Sequence, residues 1–197
     1  MLHESGLVIP VSAATPIVAP WRERLDVSAV HGVPAHITVL YPFVAPSDIT
    51  VEHVATLAGV FAATPAFNFA LDRVGSFDDS VVYLAPTPPD PFIALTRRVV
   101  ERFPDCPPYG GAYDEITPHL TIGDRGTVDE LRRAAAAVEP ALPIRARATE
   151  VWLLVSTPDD SLAPRAPRAR AWQLRTRFVL GGAGSEDASS GRPVSRA

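Results

Sequence analysis

Lysine is absent from the 197-residue sequence, so arginine supplies all 18 cationic side chains. That absence excludes a Walker-type phosphate loop, whose glycine pattern is missing too. It also excludes Schiff-base chemistry and a covalent lysyl-nucleotide intermediate. Any phosphate held by this chain must be held by arginine, hydroxyls, imidazoles or backbone amides. Cysteine is nearly as scarce: Cys106 alone permits neither an internal disulfide nor a cysteine-based metal cluster. Its neighbours, Asp105 and Pro107, offer no base to activate it as a nucleophile. No run approaches the roughly 18 apolar residues that a membrane span requires. The opening Met1-Leu2-His3-Glu4 lacks the basic region and apolar run of a secretory signal, so a cytoplasmic protein without membrane attachment is expected.

With 47% hydrophobic residues, the chain is long enough to bury a core as one domain or two fused lobes. A net charge of −4 argues against non-specific coating of duplex nucleic acid. Arginines 145, 147, 165, 168, 170, 175 and 177 nevertheless form a local basic excess over Glu150, Asp159 and Asp160. That segment reads as a solvated loop and strand face, with a phosphate-guiding patch as the alternative.

Strands are expected at 7–11, 35–41, 67–74, 81–85, 117–123, 145–156 and 171–180, from β-branched and aromatic runs. Helices are expected over 15–25, over 91–103, over 128–138, and from a Ser47-Asp48 cap to about Ala63. Residues 104–114 read as an irregular, glycine- and proline-rich stretch. The polar stretch from Gly181 to Ala197 reads as a disordered tail. Strands and helices mix without regular βαβ alternation, so an α+β fold with antiparallel sheets is expected.

Two histidines occupy matching frames. Pro34-Ala35-His36-Ile37-Thr38-Val39 and Thr117-Pro118-His119-Leu120-Thr121-Ile122 each place histidine, an apolar residue, threonine and a second apolar residue shortly after a proline. On a strand, His and Thr of each pair share one face while the apolar residues face the core. One such tetrapeptide is weak evidence; two, 83 residues apart and each followed by a helix, suggest a duplication. Histidine titrates near neutrality, so one imidazole can deprotonate an attacking hydroxyl while the other protonates a leaving oxygen. Thr38 and Thr121 could donate hydrogen bonds to non-bridging phosphate oxygens. The sequence does not say which histidine is the acid.

The motif pair resembles the 2H phosphoesterase superfamily, which includes 2′-5′ RNA ligase-like proteins and cyclic phosphodiesterases. The stretch Gly32-Val33-Pro34-Ala35-His36-Ile37-Thr38-Val39-Leu40-Tyr41-Pro42-Phe43 looks especially like bacterial 2′-5′ RNA ligase-like members. The resemblance implies a bilobal domain over residues 1–180, with two antiparallel-sheet lobes in pseudo-two-fold symmetry, helices outside and one motif in each lobe. The motifs would face a central cleft. It further implies a metal-independent phosphoesterase without cofactor, monomeric, acting on RNA or nucleotide 2′,3′-cyclic phosphates or 2′-5′ linkages. His36 and His119 would be catalytic, with Thr38 and Thr121 at the phosphate.

Family members often carry an arginine or tyrosine five residues after a motif histidine. Tyr41 matches this position; Asp124 departs from it, with Arg125 next door as a possible substitute in substrate binding. Strict alternation puts Tyr41 opposite His36, so its use needs a twist or bulge before Pro42.

Several other readings stand beside this one. The histidines could be metal ligands, yet neither has a histidine or carboxylate at i+2 or i+4. The protein could hydrolyse a small cyclic nucleotide or signalling oligonucleotide, or bind nucleotides or RNA without catalysis. His31 and His53 read as surface residues. Phe77, Tyr109, Tyr113 and Trp152 are candidates to stack a base, each better read as packing or a loop anchor.

Overall fold

A computed structural model describes residues 4–158 and 170–181. The strands are β1 (Ser5–Pro10), β2 (His36–Leu40), β3 (Phe67–Phe77), β4 (Val81–Thr87), β5 (Leu120–Gly123), β6 (Ile144–Ala148), β7 (Glu150–Pro158) and β8 (Arg170–Val179). The helices are α1 (Thr15–Leu25), α2 (Val27–Val30), α3 (Val51–Ala62), α4 (Asp90–Arg102) and α5 (Val128–Val138). Local chemistry sets their starts. Proline enters α1 in its first turn, where a missing N–H costs nothing. Thr127 and Glu130 close a reciprocal capping box on α5. Thr50 and His53 do the same for α3, in place of the expected Ser47-Asp48 cap. Ser47 instead bonds the Asp48 carboxylate.

Two four-stranded antiparallel sheets result, in the orders β2-β1-β7-β8 and β5-β4-β3-β6. In each, the strand bearing one of the histidine motifs lies at the edge. Setting aside α2 and the 3₁₀ turns, β1-α1-β2-α3 and β4-α4-β5-α5 repeat one order, strand, helix, motif strand, helix. The halves also exchange supports, since α1 packs on β5 and α4 packs on β2. Thr96 of α4 donates to the Val39 carbonyl, while the Asp124 and Arg125 amides both donate to the Leu25 carbonyl ending α1. One apolar cluster runs through both halves, including Ile37 and Val39 of β2 and Leu120 and Ile122 of β5. The apolar partners in each His-x-Thr-x frame thus anchor the motif strands in the core. Among the described residues, no helix is long and apolar enough to cross a membrane.

Three expectations change. The single strand over 145–156 is two, broken at exposed Thr149; β6 pairs with β3 and β7 with β1, in different sheets. The second motif strand begins at Leu120, which leaves His119 immediately before it. Gly181 does not start a loose tail: its N–H donates to the Phe61 and Thr64 carbonyls, and its carbonyl accepts from Ala66. The remainder of the expected tail, residues 182–197, lies outside the described residues.

Candidate active site

His36 opens β2, paired with Pro10 of β1, and Thr38 pairs with Val8. The His36 Nδ1 lies 2.8 Å from the Pro34 carbonyl, and the His119 Nδ1 lies 2.7 Å from the Thr117 carbonyl. In both motifs the imidazole therefore donates Nδ1–H to the carbonyl two residues back, which leaves Nε2 for chemistry. Both imidazoles and both threonines line one cavity of about 540 Å³. Within it, the first motif pair comes from the edge of one sheet and the second from the edge of the other.

The environment depresses both histidines. Burial, with the Arg22 cation adding to it, lowers His36 from 6.5 to about 4. Burial also lowers His119, with no cation among the causes. His119 is packed edge-on against Phe77 at 5.0 Å and lies 5.3 Å from Tyr83, and those two rings stack on each other at 4.4 Å. Gly75 makes room for this: a Cβ there would meet the Tyr83 ring at 2.5–2.7 Å. Phe77 therefore positions His119 and is absent from the cavity lining.

Tyr41 reaches the cavity by the bulge that alternation demanded. Leu7 pairs with Leu40 and Val8 with Thr38, so Val39 is an extra residue in β2. Val39 and Leu40 are consequently both buried, and Tyr41 comes to the side of His36 and Thr38. Its hydroxyl donates to Glu4 at 2.9 Å, and its ring meets Trp172 edge-on at 6.1 Å. Arg125 is not brought to the site. Its Nε donates to the Arg24 carbonyl, and Asp124 lines the cavity instead. Asp124 accepts from the Val27 N–H at 3.0 Å, and burial pushes its carboxyl up.

Sequence reasoning missed the corner between α1 and α2. Arg22 and Asp26 form a buried ion pair at 2.7 Å, with relative side-chain exposures of 5% and 1%. Asp26 also accepts from the Ser28 amide and hydroxyl, and Arg22 reaches the Ser28 hydroxyl and Val33 carbonyl. The Arg22/Asp26 spacing of four on a helix was the available signal. Glu4 and Trp172 carried none. His31, expected at the surface, lines the cavity, and its carbonyl accepts from the Trp172 amide. His53, expected there too, is half-buried and packs against Phe43 and Phe103.

Of the remaining stacking candidates, Tyr109 lines the cavity, Tyr113 is exposed beside it, and Trp152 lies under the Arg177 guanidinium. Burial raises the Cys106 thiol, which suits an inert side chain. In the arginine-rich segment, Arg175 donates to the Pro46 and Ile49 carbonyls, and Arg145 and Arg147 are exposed on β6. Arg145, Arg147, Arg175 and Arg177 do not line the cavity. Arg165 and Arg168, and the side chain of Arg170, lie outside the described residues.

Known proteins share the family and the fold of this chain. The family model described as the 2′-5′ RNA ligase superfamily matches residues 9–160. Among solved structures, Escherichia coli LigT complexed with ATP superposes with a TM-score of 0.56 at 20% identity, covering 92% of this chain and 99% of that one. The same protein complexed with 3′-AMP gives a TM-score of 0.53 at 17% identity, with the same coverage. The TT0787 protein of Thermus thermophilus gives 0.59 at 15% identity, again over 92% and 99%. The search of curated proteins finds no match. These structural likenesses concern the fold.

Proposed function

The chain belongs to the 2′-5′ RNA ligase superfamily of 2H phosphoesterases, and on that footing we propose that it acts without metal on 2′,3′-cyclic phosphates or 2′-5′ linkages of nucleotides or RNA ends. The observation that carries this reading is the convergence of His36, Thr38, His119 and Thr121 on one cavity, with each imidazole held through Nδ1. Nucleotides as ligands agree with the LigT complexes with 3′-AMP and ATP.

His36 is the base in this mechanism. Burial and the Arg22 charge keep it neutral, with the Nε2 lone pair open to a proton. Nε2 of His36 takes the proton of the attacking water, or of a 5′-hydroxyl in the ligation direction, as its oxygen attacks phosphorus. His119, without a cation among the causes of its shift, is the histidine that protonates readily beside a bound phosphate anion. It gives the Nε2 proton to the departing 2′- or 3′-oxygen as the P–O bond breaks. Thr38 and Thr121 donate to the non-bridging oxygens, where charge grows. The reverse of ligation cleaves a 2′-5′ linkage: the 3′-hydroxyl gives its proton to His119 and attacks phosphorus, and the 5′-oxygen leaves with a proton from His36, so neither direction needs ATP.

Incubation with 2′,3′-cyclic nucleotides and with 2′-5′ dinucleotides in EDTA tests the reading. Conversion of at least one class to a ring-opened or cleaved product is the expected result. Binding of both classes with conversion of neither would make the protein a non-catalytic nucleotide-binding module.

A further inference from the structure

Phosphate recognition in this cavity is short of cations. The chain has no lysine, and none of the described residues lining the cavity is an arginine. Neutral donors must therefore do more of the holding, and Tyr41 is already engaged with Glu4. Tyr109 is the remaining phenol on the lining. It comes from the irregular 107–112 segment, between α4 and the second motif. Its N–H donates to the Tyr41 carbonyl at 2.6 Å, which ties the segment to the end of β2.

The backbone at Tyr109 is unusual for a residue with a side chain. Its φ is +51°, in the left-handed region, and Gly110 and Gly111 follow at +65° and +79°. A tyrosine holds that conformation only when its surroundings impose it. Here the Tyr41 carbonyl, together with the Gly110-to-Pro107 and Ala112-to-Tyr109 backbone bonds, imposes it. The phenol is thereby set in the wall of the cavity that Thr38 also lines. Burial raises the phenol's pKa, outweighing the opposite pull of the Thr38 hydroxyl, so it stays a donor across the working pH range.

We infer that Tyr109 is a third hydroxyl donor to the substrate phosphate, acting beside Thr38 from a loop built to hold it. The inference rests on the phosphoesterase reading above. When the phosphate enters, the phenol O–H donates to a non-bridging oxygen beside Thr38, and both hydroxyls then point at the same anion. Tyr109 thus recognises the phosphate and not the base, unlike the stacking role open to an aromatic at this position.

Tyr109→Phe removes only the hydroxyl and keeps the ring. Wild type, Tyr109→Phe and His36→Ala are to be compared on a 2′,3′-cyclic nucleotide and on glycerol 1,2-cyclic phosphate, which has no base. Binding of inorganic phosphate to each is measured by calorimetry. Loss of one donor to a charged oxygen should lower kcat/KM for Tyr109→Phe by about 10- to 100-fold, equally on both substrates. Phosphate should bind the variant at least about fivefold more weakly than wild type. Unchanged phosphate affinity in Tyr109→Phe, or a loss confined to the nucleotide, would overturn the inference. Failure of the phosphoesterase reading looks different: neither substrate is turned over by wild type, while the phosphate affinities still report on Tyr109.

Discussion

Replacing His36 or His119 by alanine should each cut kcat by about 10²- to 10⁴-fold, because each variant loses one of the two proton transfers. The double variant should be little worse than either single one, since two groups serving one step do not contribute additively. Neither change should unfold the protein. Each imidazole is half-buried and, among the described residues, hydrogen-bonded only to a neighbouring carbonyl, and its apolar partners keep the strand in the core. Circular dichroism and urea unfolding of the variants check that the loss is chemical. Near-wild-type turnover in either single variant would contradict the two-histidine mechanism.

A second large effect is expected on stability. Asp26→Ala should cost about 3–5 kcal/mol, because it leaves the buried Arg22 cation without its carboxylate. The same change strips Ser28 of its amide and hydroxyl acceptor at the start of α2. For a domain whose whole stability is of order 5–15 kcal/mol, that is a severe loss. Combining Asp26→Leu with Arg22→Met removes both charges and should recover much of it. Urea midpoints with an unchanged denaturant slope measure both values. A loss under about 1 kcal/mol in Asp26→Ala would show that water or another group satisfies Arg22.

How much of this was legible in the chain depends on the range of the interactions. α1 and α5 run over Thr15–Leu25 and Val128–Val138, the spans the sequence indicates, because proline entry and the Thr127–Glu130 box are local devices. The His-x-Thr face of the first motif was equally legible, since strand alternation puts His36 and Thr38 together, whereas His119 lies just before β5. Alternation even showed that Tyr41 needed a bulge, and Val39 provides it.

Tertiary contacts hid the rest. Nothing in a run of β-formers marks Thr149 as the place where the chain changes sheets; partners elsewhere, β3 and β1, decide that. Asp124 turns inward and Arg125 outward because the Leu25 carbonyl, about a hundred residues earlier, takes both their amides. The Arg22 and Asp26 charges act on His36 only once the chain folds and α1 packs on β5. Tyr109 joins Thr38 on the cavity wall through a loop whose conformation no periodicity announces.

The central claim is that a neutral His36 and a protonated His119 work as a pair, and the pH profile of kcat/KM in EDTA tests it most directly. Loss of the base shapes the acid limb, and the depression of His36 to about 4 places that limb well below 6.5. Loss of the acid shapes the alkaline limb, which the lowered His119 also places below 6.5. The two flanks belong to the coupled pair, and together they set an optimum on the acid side of neutrality. The expected result is a bell on a 2′,3′-cyclic nucleotide, peaking below pH 6.5 and unchanged by chelator. An optimum above neutrality, or activity that appears only when divalent metal is restored, would contradict the account and recast His36 and His119 as ligands.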